Sequence, residues 1–314
     1  MTMSRPVVSM CVLAGVVALA ARALAADDPP LPPELIAAPP KSLHSRMDYG
    51  AHAGMQVSIL GMEGRDTAHA VIRFAHTRDN AISYCRDSLS TVTEQCVQDA
   101  LDAEQGFKDS LTGNCDTGEF SDFFGGHYRF EGRNPKSGYF GDNKYLIVNL
   151  ADGEIADGSE MSRYLINVSI YRALCPAHAP LDIDATIVSM AGRDTAKAII
   201  KVRHTREDAI HSCQESGTLP IQQVSEDCIR QELAKRASDV VTADCEHGEF
   251  RDYYGDRFRV SLNTSQAYPA SLFKANITNL ATGKPFDRVM ADSRAHQPMP
   301  VYRALCPAHA PLGE

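Results

Sequence analysis

The sequence contains no tryptophan and no long run of lysine or arginine. Lysine and arginine together number 31 against 40 aspartates and glutamates, so the formal net charge is −9. Proteins that bind nucleic acid or anionic lipid surfaces rely on clustered positive charge. The composition therefore argues against both as partners, and it leaves a protein or a small molecule as the expected ligand.

Long apolar runs are also missing, with one exception at the start of the chain. Pro6–Ala21 is apolar apart from one serine and follows Arg5, and small residues precede Ala26. This pattern predicts a signal peptide over residues 1–25, cleaved near Ala25, and hence a periplasmic or secreted protein. Lipidation at Cys11 and an uncleaved anchor are the alternatives, although the run is short for a membrane span. No later segment predicts a transmembrane helix.

Motifs of activated nucleophiles and of zinc peptidases are absent, since neither Gly-x-Ser-x-Gly nor His-Glu-x-x-His occurs. The element Cys-Pro-Ala-His, which begins at Cys175 and at Cys306, resembles half of a zinc site or a truncated haem-attachment motif. Haem attachment needs a second cysteine where this chain has alanine, and zinc would need a second pair of ligands. We therefore predict no metal and no cofactor.

Eight cysteines follow the predicted leader, four in each half of the chain, and the even number in an exported protein favours disulfides. They are Cys85, Cys96, Cys115, Cys175, Cys213, Cys228, Cys245 and Cys306. Cys85 and Cys96 are symmetric about the turn of a predicted helical hairpin, as are Cys213 and Cys228. This symmetry favours the pairs 85–96 and 213–228, and therefore 115–175 and 245–306. Spacing alone leaves the other pairings open.

Internal similarity runs through the chain and decides its predicted organisation. YRALCPAHAPL occurs at 171–181 and again at 302–312, and GRDTA occurs at 64–68 and at 192–196. These matches predict a tandem duplication, with one α+β repeat over residues 47–181 and a second over 182–314. Residues 26–46 are rich in proline and predict a disordered spacer.

Each repeat is expected to be an antiparallel sheet packed with a helical hairpin. Alternating apolar residues predict an inward-facing strand at Ala70–Phe74 and at Ala198–Val202. Helices are predicted to begin after Thr77 and Thr205, and again after Thr93 and Ser225.

Glycine pairs and strand patterns predict the rest of each repeat. Gly125-Gly126 and Gly255-Asp256 predict two-residue hairpin turns. The acids beside the first turn, Glu119 and Asp122, are expected to be solvent-exposed at the edge of the hairpin. A final strand is expected to run into each copy of Tyr-Arg-Ala-Leu.

Polar residues at equivalent positions of the two repeats suggest a small site. The candidates are Arg65, Asp66 and His76 in the first repeat and Arg193, Asp194 and His204 in the second. A histidine held by a carboxylate could act as a general base. The alternative is that both histidines bond to backbone at a helix start. A disulfide at the cysteine does not explain why an arginine and a histidine also recur in the repeated segment. These residues are Arg172 and His178 in the first copy and Arg303 and His309 in the second.

The leader, the paired cysteines, the hairpin GEFSDFFGGHYRF and the ending RALCPAH together resemble a group of exported bacterial proteins without an assigned activity. The resemblance covers nearly the whole mature chain and implies a periplasmic or secreted location. We expect a non-catalytic binding or interaction protein, because two linked copies of a binding face raise the effective concentration of the second. The alternative is a periplasmic, hydrolase-like enzyme that uses the duplicated His, Asp and Arg positions.

Overall fold

A computed structural model describes residues 31–50, 52–133, 145–155, 161–181, 183, 185–215, 224–265, 274–286 and 298–312. The predicted leader lies outside the described residues. A short 3₁₀ turn over Pro33–Leu35 comes first. The first unit then consists of β1 (Arg46–Asp48), β2 (Gln56–Glu63), β3 (Ala70–Ala75), α1 (Arg78–Asp87), α2 (Glu94–Ala103), β4 (Ser110–Asn114), β5 (Glu119–Ser121), β6 (His127–Arg133), β7 (Tyr145–Asn149) and α3 (Met161–Leu174).

The second unit has the same order of elements, apart from an equivalent of β1. It consists of β8 (Thr186–Ala191), β9 (Ala198–Arg203), α4 (Arg206–Glu215), α5 (Glu226–Lys235), β10 (Val240–Asp244), β11 (Glu249–Arg251), β12 (Arg257–Leu262), β13 (Ala275–Asn279) and α6 (Pro298–Leu305). Each unit contains one antiparallel sheet, of seven and six strands, in which every strand pairs with its neighbours in sequence. The α+β class is confirmed.

The predicted inward faces of the second strands are confirmed. Ala70, Ile72 and Phe74 are at most 3% exposed, as are Ala198, Ile200 and Val202 in the second unit. Strand alternation places these residues on one face of each sheet. In each unit, this face of the sheet packs into the main hydrophobic core.

The segment that ends each unit is a helix, and the prediction of a final strand was wrong. In α3 the buried residues Tyr164, Val168, Tyr171 and Leu174 recur every three or four positions, which is the helical period. In α6 the two prolines lie in the first turn, where a missing N–H costs no helical hydrogen bond. The helical period of the buried side chains, and not the alternation of a strand, therefore decides the outcome.

These closing helices, α3 and α6, cover the buried faces of the sheets. Tyr171 and Leu174 share the first core with the strand residues, and Tyr302 and Leu305 do so in the second. The helical hairpin of α1 and α2 instead forms a small cluster of its own beside the sheet. The expected helical hairpin is present, but the buried face of the sheet is covered by the closing helix, which the sequence did not predict.

The helix starts and the cysteine pairs follow the predictions. Thr77, Thr93 and Ser225 cap their helices through a side-chain oxygen, and Thr205 accepts from the backbone N–H of Asp208 at 3.1 Å. Four disulfides are formed, all with the favoured pairing: Cys85–Cys96, Cys115–Cys175, Cys213–Cys228 and Cys245–Cys306. The longer bridges join β4 to the end of α3 and β10 to the end of α6. They therefore fasten each closing helix to its sheet.

The hairpin loops differ from the prediction. The connection between β5 and β6 spans five residues, 122–126, and not a two-residue turn. Asp122 organises it: the carboxylate oxygen Oδ1 accepts from the backbone N–H groups of Phe124 at 2.9 Å and Gly126 at 2.7 Å. Asp252 does the same in the second unit. Both aspartates are buried, so the expectation that Asp122 is exposed was wrong.

The described part of the proline-rich stretch, residues 31–45, lies against both units. Ala37 is 2% exposed in the hairpin cluster of the first unit, and Leu43 packs on the core of the second. His44 Nε2 lies 2.9 Å from the carbonyl oxygen of Ala310. The expectation of a disordered spacer does not hold for these residues, because they bury apolar surface.

No described helix combines the length and the apolar character needed to cross a bilayer.

We predict that Asp122→Ala lowers the free energy of unfolding by about 2 kcal/mol, because it leaves buried backbone N–H groups without a charged acceptor. Urea unfolding measures this change. Glu119→Ala, at the exposed neighbouring acid, is the matched control and should change stability by less than about 0.5 kcal/mol. Equal effects of the two substitutions would contradict the assignment.

Candidate functional site

The Gly-Arg-Asp turn before β3 holds the end of α3. Asp66 adopts a left-handed backbone conformation, with φ of 63°, which aspartate tolerates better than most residues. Its backbone N–H donates to the carbonyl of Leu174 at 3.0 Å, and its carboxylate accepts from the N–H of Ala177 at 2.6 Å. Asp194 has φ of 62° and holds Ala308 in the same way, at 2.7 Å. Each turn thereby clamps the closing segment of its own unit.

The arginine beside each aspartate joins the two units. Arg65 Nε donates to Ala173 of its own unit at 2.9 Å, while Nη1 donates to the carbonyl of Ala308 in the second unit at 3.3 Å. Arg193 reciprocates, since Nε donates to Ala304 at 3.0 Å and Nη1 donates to the carbonyl of Ala177 at 3.2 Å. The two arginines therefore make equivalent pairs of bonds, each with one acceptor in either unit.

The closing leucines also cross the junction between the units. Leu312, which ends the second copy of the repeated segment, is 2% exposed and belongs to the core of the first unit. Leu181, which ends the first copy, packs against the core of the second unit. A twofold interface uses the same patch on both sides, so each residue has to satisfy both roles. The junction therefore uses residues of the repeated segment other than its cysteine and proline.

A small cleft, open to solvent, lies at this junction. Only arginine, alanine, proline and leucine line it among the residues that the structure describes. The lining residues are Arg65, Arg172, Ala173, Pro176, Ala179, Pro180, Leu181, Arg193, Arg303, Pro307, Ala310, Pro311 and Leu312. Four guanidinium groups, two from each unit, therefore surround one small space.

The guanidinium groups of the cleft are partly desolvated. Burial lowers the pKa of Arg172 to about 10, and its guanidinium carbon lies 5.8 Å from the ring centre of Tyr145. Burial also lowers the pKa of Arg65 and of Arg193, against the opposing effect of Asp66 and Asp194. A pKa near 10 still leaves Arg172 charged at neutral pH, and the arginine side chain does not deprotonate under ordinary conditions. Arg65, Arg172 and Arg193 are therefore charged and partly desolvated, and the carboxylates of Asp66 and Asp194 oppose the charges of Arg65 and Arg193.

The predicted polar sites are divided by the fold. Arg65, Asp66, Arg193 and Asp194 come together at the junction, but the two histidines do not join them. His76 lies at the other end of β3 from Asp66, roughly 20 Å away at the usual rise of a strand. The same separation along β9 divides His204 from Asp194.

Each histidine has its own structural surroundings. The His76 ring packs edge-on against Tyr49 and Phe107, and neither nitrogen has a hydrogen-bond partner among the described residues. Burial lowers its pKa from 6.5 to about 4, so the imidazole is neutral near pH 7. His204 Nε2 lies 3.0 Å from the carbonyl of Ser238, and Nδ1 lies 3.1 Å from Arg236 Nη1. The alternative interpretation, in which both histidines bond to backbone at a helix start, therefore does not describe His76, and His204 bonds to the backbone of Ser238 and not to its own helix start.

Neither Cys-Pro-Ala-His element gathers ligands for a metal. Cys175 is in a disulfide, and His178 is exposed after a tight turn closed by its N–H to the carbonyl of Cys175 at 3.0 Å. Within the described parts of the chain, no three metal-ligating side chains cluster.

The chain also contains one Ser-x-x-Lys spacing, which ends at Lys274. Its ammonium group donates to Asp48 Oδ2 at 2.7 Å and to the carbonyl of Leu312, so it serves the junction.

A second cleft lies between residues 37–46 and the two units. Two of its cationic side chains are in ion pairs: Arg86 with Asp87 at 2.6 Å, and Lys274 with Asp48 at 2.7 Å. The third, Arg46, donates to the carbonyl of Ala38. Sequence reasoning missed both, although Arg172 and Arg303 had been noted as unexplained residues.

The chain matches no protein-family model, no curated protein and no solved structure. The resemblance to exported bacterial proteins therefore stays a prediction. The site has to be interpreted from its own geometry.

We predict that Asp194→Ala destabilises the protein by about 2 kcal/mol, because it removes the acceptor for the Ala308 N–H and puts a less tolerant residue at positive φ. Asp194→Asn is the matched control. Asparagine tolerates the same backbone conformation and keeps an acceptor oxygen, so it should restore most of the loss. Thermal and urea unfolding measure both, and identical losses would contradict the clamp.

His76 should make the protein less stable in mild acid. Its pKa is depressed in the folded state, so unfolding takes up a proton as the pH falls below 6.5, and the stabilisation is lost progressively towards about pH 4. Because the ring is only partly buried, we expect His76 to account for about 1 to 2 kcal/mol of the loss in the free energy of unfolding. His76→Leu should remove this part of the pH dependence, measured by urea unfolding at pH 7 and pH 4.5. His127→Gln, at an exposed position, should leave the pH dependence of stability unchanged. If His76→Leu loses as much stability between pH 7 and pH 4.5 as the unaltered protein, the prediction is contradicted.

Proposed function

We propose that this chain is an exported, non-catalytic binding protein that holds one small ligand at the junction of its two units. The observation that carries the proposal is the composite cleft, to which both units contribute equivalent residues. A concave site at the boundary between two domains is a common location for a ligand. The duplication then serves to build one site and not to present two independent ones.

The chemistry of the lining supports binding over catalysis. Arginine, alanine, proline and leucine supply no nucleophile and no group that exchanges a proton near neutral pH. Proline side chains form rigid walls that lose little conformational entropy when a ligand is bound. The alternative, a hydrolase-like enzyme, was expected to use His76 and His204 with the aspartates, and both histidines lie at the far ends of their strands.

The proposed location outside the cytoplasm rests on the predicted signal peptide over residues 1–25. The four disulfides are compatible with an oxidising compartment, where such bonds form and persist. The two longer bridges fasten the closing segments that carry Arg172 and Arg303. A reducing compartment would therefore weaken the site as well as the fold.

Native mass spectrometry tests the proposal on protein purified without denaturation from the organism that makes it. We expect one bound small molecule per chain, which is released when the protein is unfolded. Two molecules per chain would contradict a single composite site and would favour one site in each unit. A chain without any bound or bindable small molecule, together with turnover of a substrate, would overturn the proposal in favour of the enzyme.

A further inference from the structure

We infer that the outward face of the second sheet binds a linear polysaccharide that carries anionic groups. The apolar residues of β9 face the core, so the residues that alternate with them, Lys201 and Arg203, face away from it. Residues paired across an antiparallel sheet share a face, and the pairing of β10, β11 and β12 places further cations on the same side. The exposed cations of this face are Lys201, Arg203, Arg251, Arg257 and Arg259. The closing helix α6 covers the opposite face, so this surface is separate from the junction cleft.

Cations outnumber acids at the outward positions of the six strands. Asp244 and Glu249 are the acids at these positions. The nearby acids Asp239, Glu246 and Asp256 lie in the loops beyond the strand ends. A chain whose net charge is −9 therefore carries one face with an excess of positive charge.

Most of these cations lack a partner of opposite charge. Three of them form no ion pair within the part of the chain that the structure describes: Lys201, Arg203 and Arg251. The other two, Arg257 and Arg259, share the single carboxylate of Glu249. Arg251 and Arg257 also lie directly opposite each other on neighbouring strands, where like charges repel. An anion bound across them would offset this repulsion.

The first unit provides an internal comparison, because its sheet has the same order of strands after β1. Three of the five equivalent positions carry no lysine or arginine there; Ala75, Ser121 and His127 stand in place of Arg203, Arg251 and Arg257. The other two positions are Arg73 and Arg129, and each arginine pairs with a glutamate, Glu63 or Glu131. The equivalent face of the first unit therefore has no excess of positive charge.

The acids differ between the units as well. Ala191 and Ser261 of the second unit stand where the first unit has the two glutamates that pair with its arginines. The one change in the opposite direction is Asp244, which stands where the first unit has Asn114. Because both units form the same sheet, the fold does not require the positive charge of the second face, and a binding role accounts for it.

The cations of the second face form a diagonal stripe. Lys201 and Arg203 are two residues apart on β9, which corresponds to about 7 Å. Arg251 and Arg257 are neighbours on β11 and β12, about 5 Å apart, and Arg259 follows two residues further along β12. At the usual spacings of a sheet, the stripe runs about 25 Å from Arg203 to Arg259. An extended chain of anionic units is long enough to contact all five cations, whereas one small anion is not.

The chemistry of the face selects among anionic polymers. No outward position of the six strands carries an aromatic side chain, so single-stranded nucleic acid would find no platform for its bases. The inner strands are already paired on both sides, so a peptide cannot add to them as a further strand. An anionic bilayer would meet the acidic remainder of the chain, whereas a single polysaccharide chain would lie within about 8 Å of the stripe, the distance beyond which salt screens charges.

The test is titration calorimetry of the full mature protein with heparin and polygalacturonate, two linear acidic polysaccharides, at several salt concentrations. Uncharged dextran is the neutral probe. Single-stranded oligothymidylate and vesicles of phosphatidylcholine and phosphatidylglycerol represent the other anionic partners. We expect heparin or polygalacturonate to bind, more weakly as salt rises, and dextran not to bind. Tighter binding of the oligothymidylate or of the vesicles than of either polysaccharide would overturn the polysaccharide as the occupant.

A variant that gives the second face the residues of the first tests the stripe itself. The triple substitution Arg203→Ala, Arg251→Ser and Arg257→His should weaken polysaccharide binding about tenfold or more and make its salt dependence shallower. The matched control removes three exposed arginines of the first unit, by Arg73→Gln, Arg78→Gln and Arg129→Gln. Both variants lose the same positive charge, and the control should bind like the unaltered protein.

Glu249→Gln should have the opposite effect. It removes the carboxylate that Arg257 and Arg259 share, so it should strengthen polysaccharide binding about two- to threefold. This variant also tests the inference if the triple variant does not fold, as judged by circular dichroism. Weaker binding by folded Glu249→Gln would contradict the inference.

The inference is overturned if neither acidic polysaccharide binds, or if dextran binds as well as they do. It is also overturned if the control variant loses as much affinity as the folded triple variant. The stripe and the junction cleft share no residue, so these results are independent of whether a small ligand occupies the junction.

Discussion

The reciprocal bonds of Arg65 and Arg193 across the junction are the constraint on which the rest of the molecule depends. Each guanidinium joins a carbonyl of its own unit to a carbonyl of the other. The acceptors lie in the closing segments, which the clamping aspartates and the long disulfides hold in place. Because each closing segment accepts hydrogen bonds from the arginines of both units, a change in one copy of the segment would affect both sides of the junction. A disulfide followed by a helix stop would require only the cysteine and the proline of the eleven-residue segment, whereas the junction uses residues throughout it.

Much of the architecture could be predicted from local signals. Strand alternation located β3 and β9, caps located the hairpin helices, and the symmetry of Cys85 and Cys96 about a turn gave the cysteine pairs. The prediction of a closing strand was wrong because the helical spacing of Tyr164, Val168 and Tyr171 is evident only once these residues are known to be buried. Asp122 was expected to be exposed, because nothing in the sequence reveals that an acid will bond two N–H groups of its own loop.

The site could be predicted only in part. Arg65, Asp66, Arg193 and Asp194 were grouped because their positions recur, and they do meet, but with each other across the junction and not with the histidines. Sequence similarity between repeats indicates equivalence and says nothing about whether equivalent residues face one another. For the same reason, two linked copies suggested two binding faces, while the geometry supports one shared cleft.

A double-mutant cycle of Arg65→Gln and Arg193→Gln, measured by urea unfolding, tests most directly whether the two units depend on one junction. Both arginines act on the same interface, so we expect a single cooperative transition and a double variant that loses less stability than the sum of the single variants, by at least about 0.5 kcal/mol. Losses that add within about 0.3 kcal/mol, or two separate transitions in the unaltered protein, would contradict a shared twofold junction.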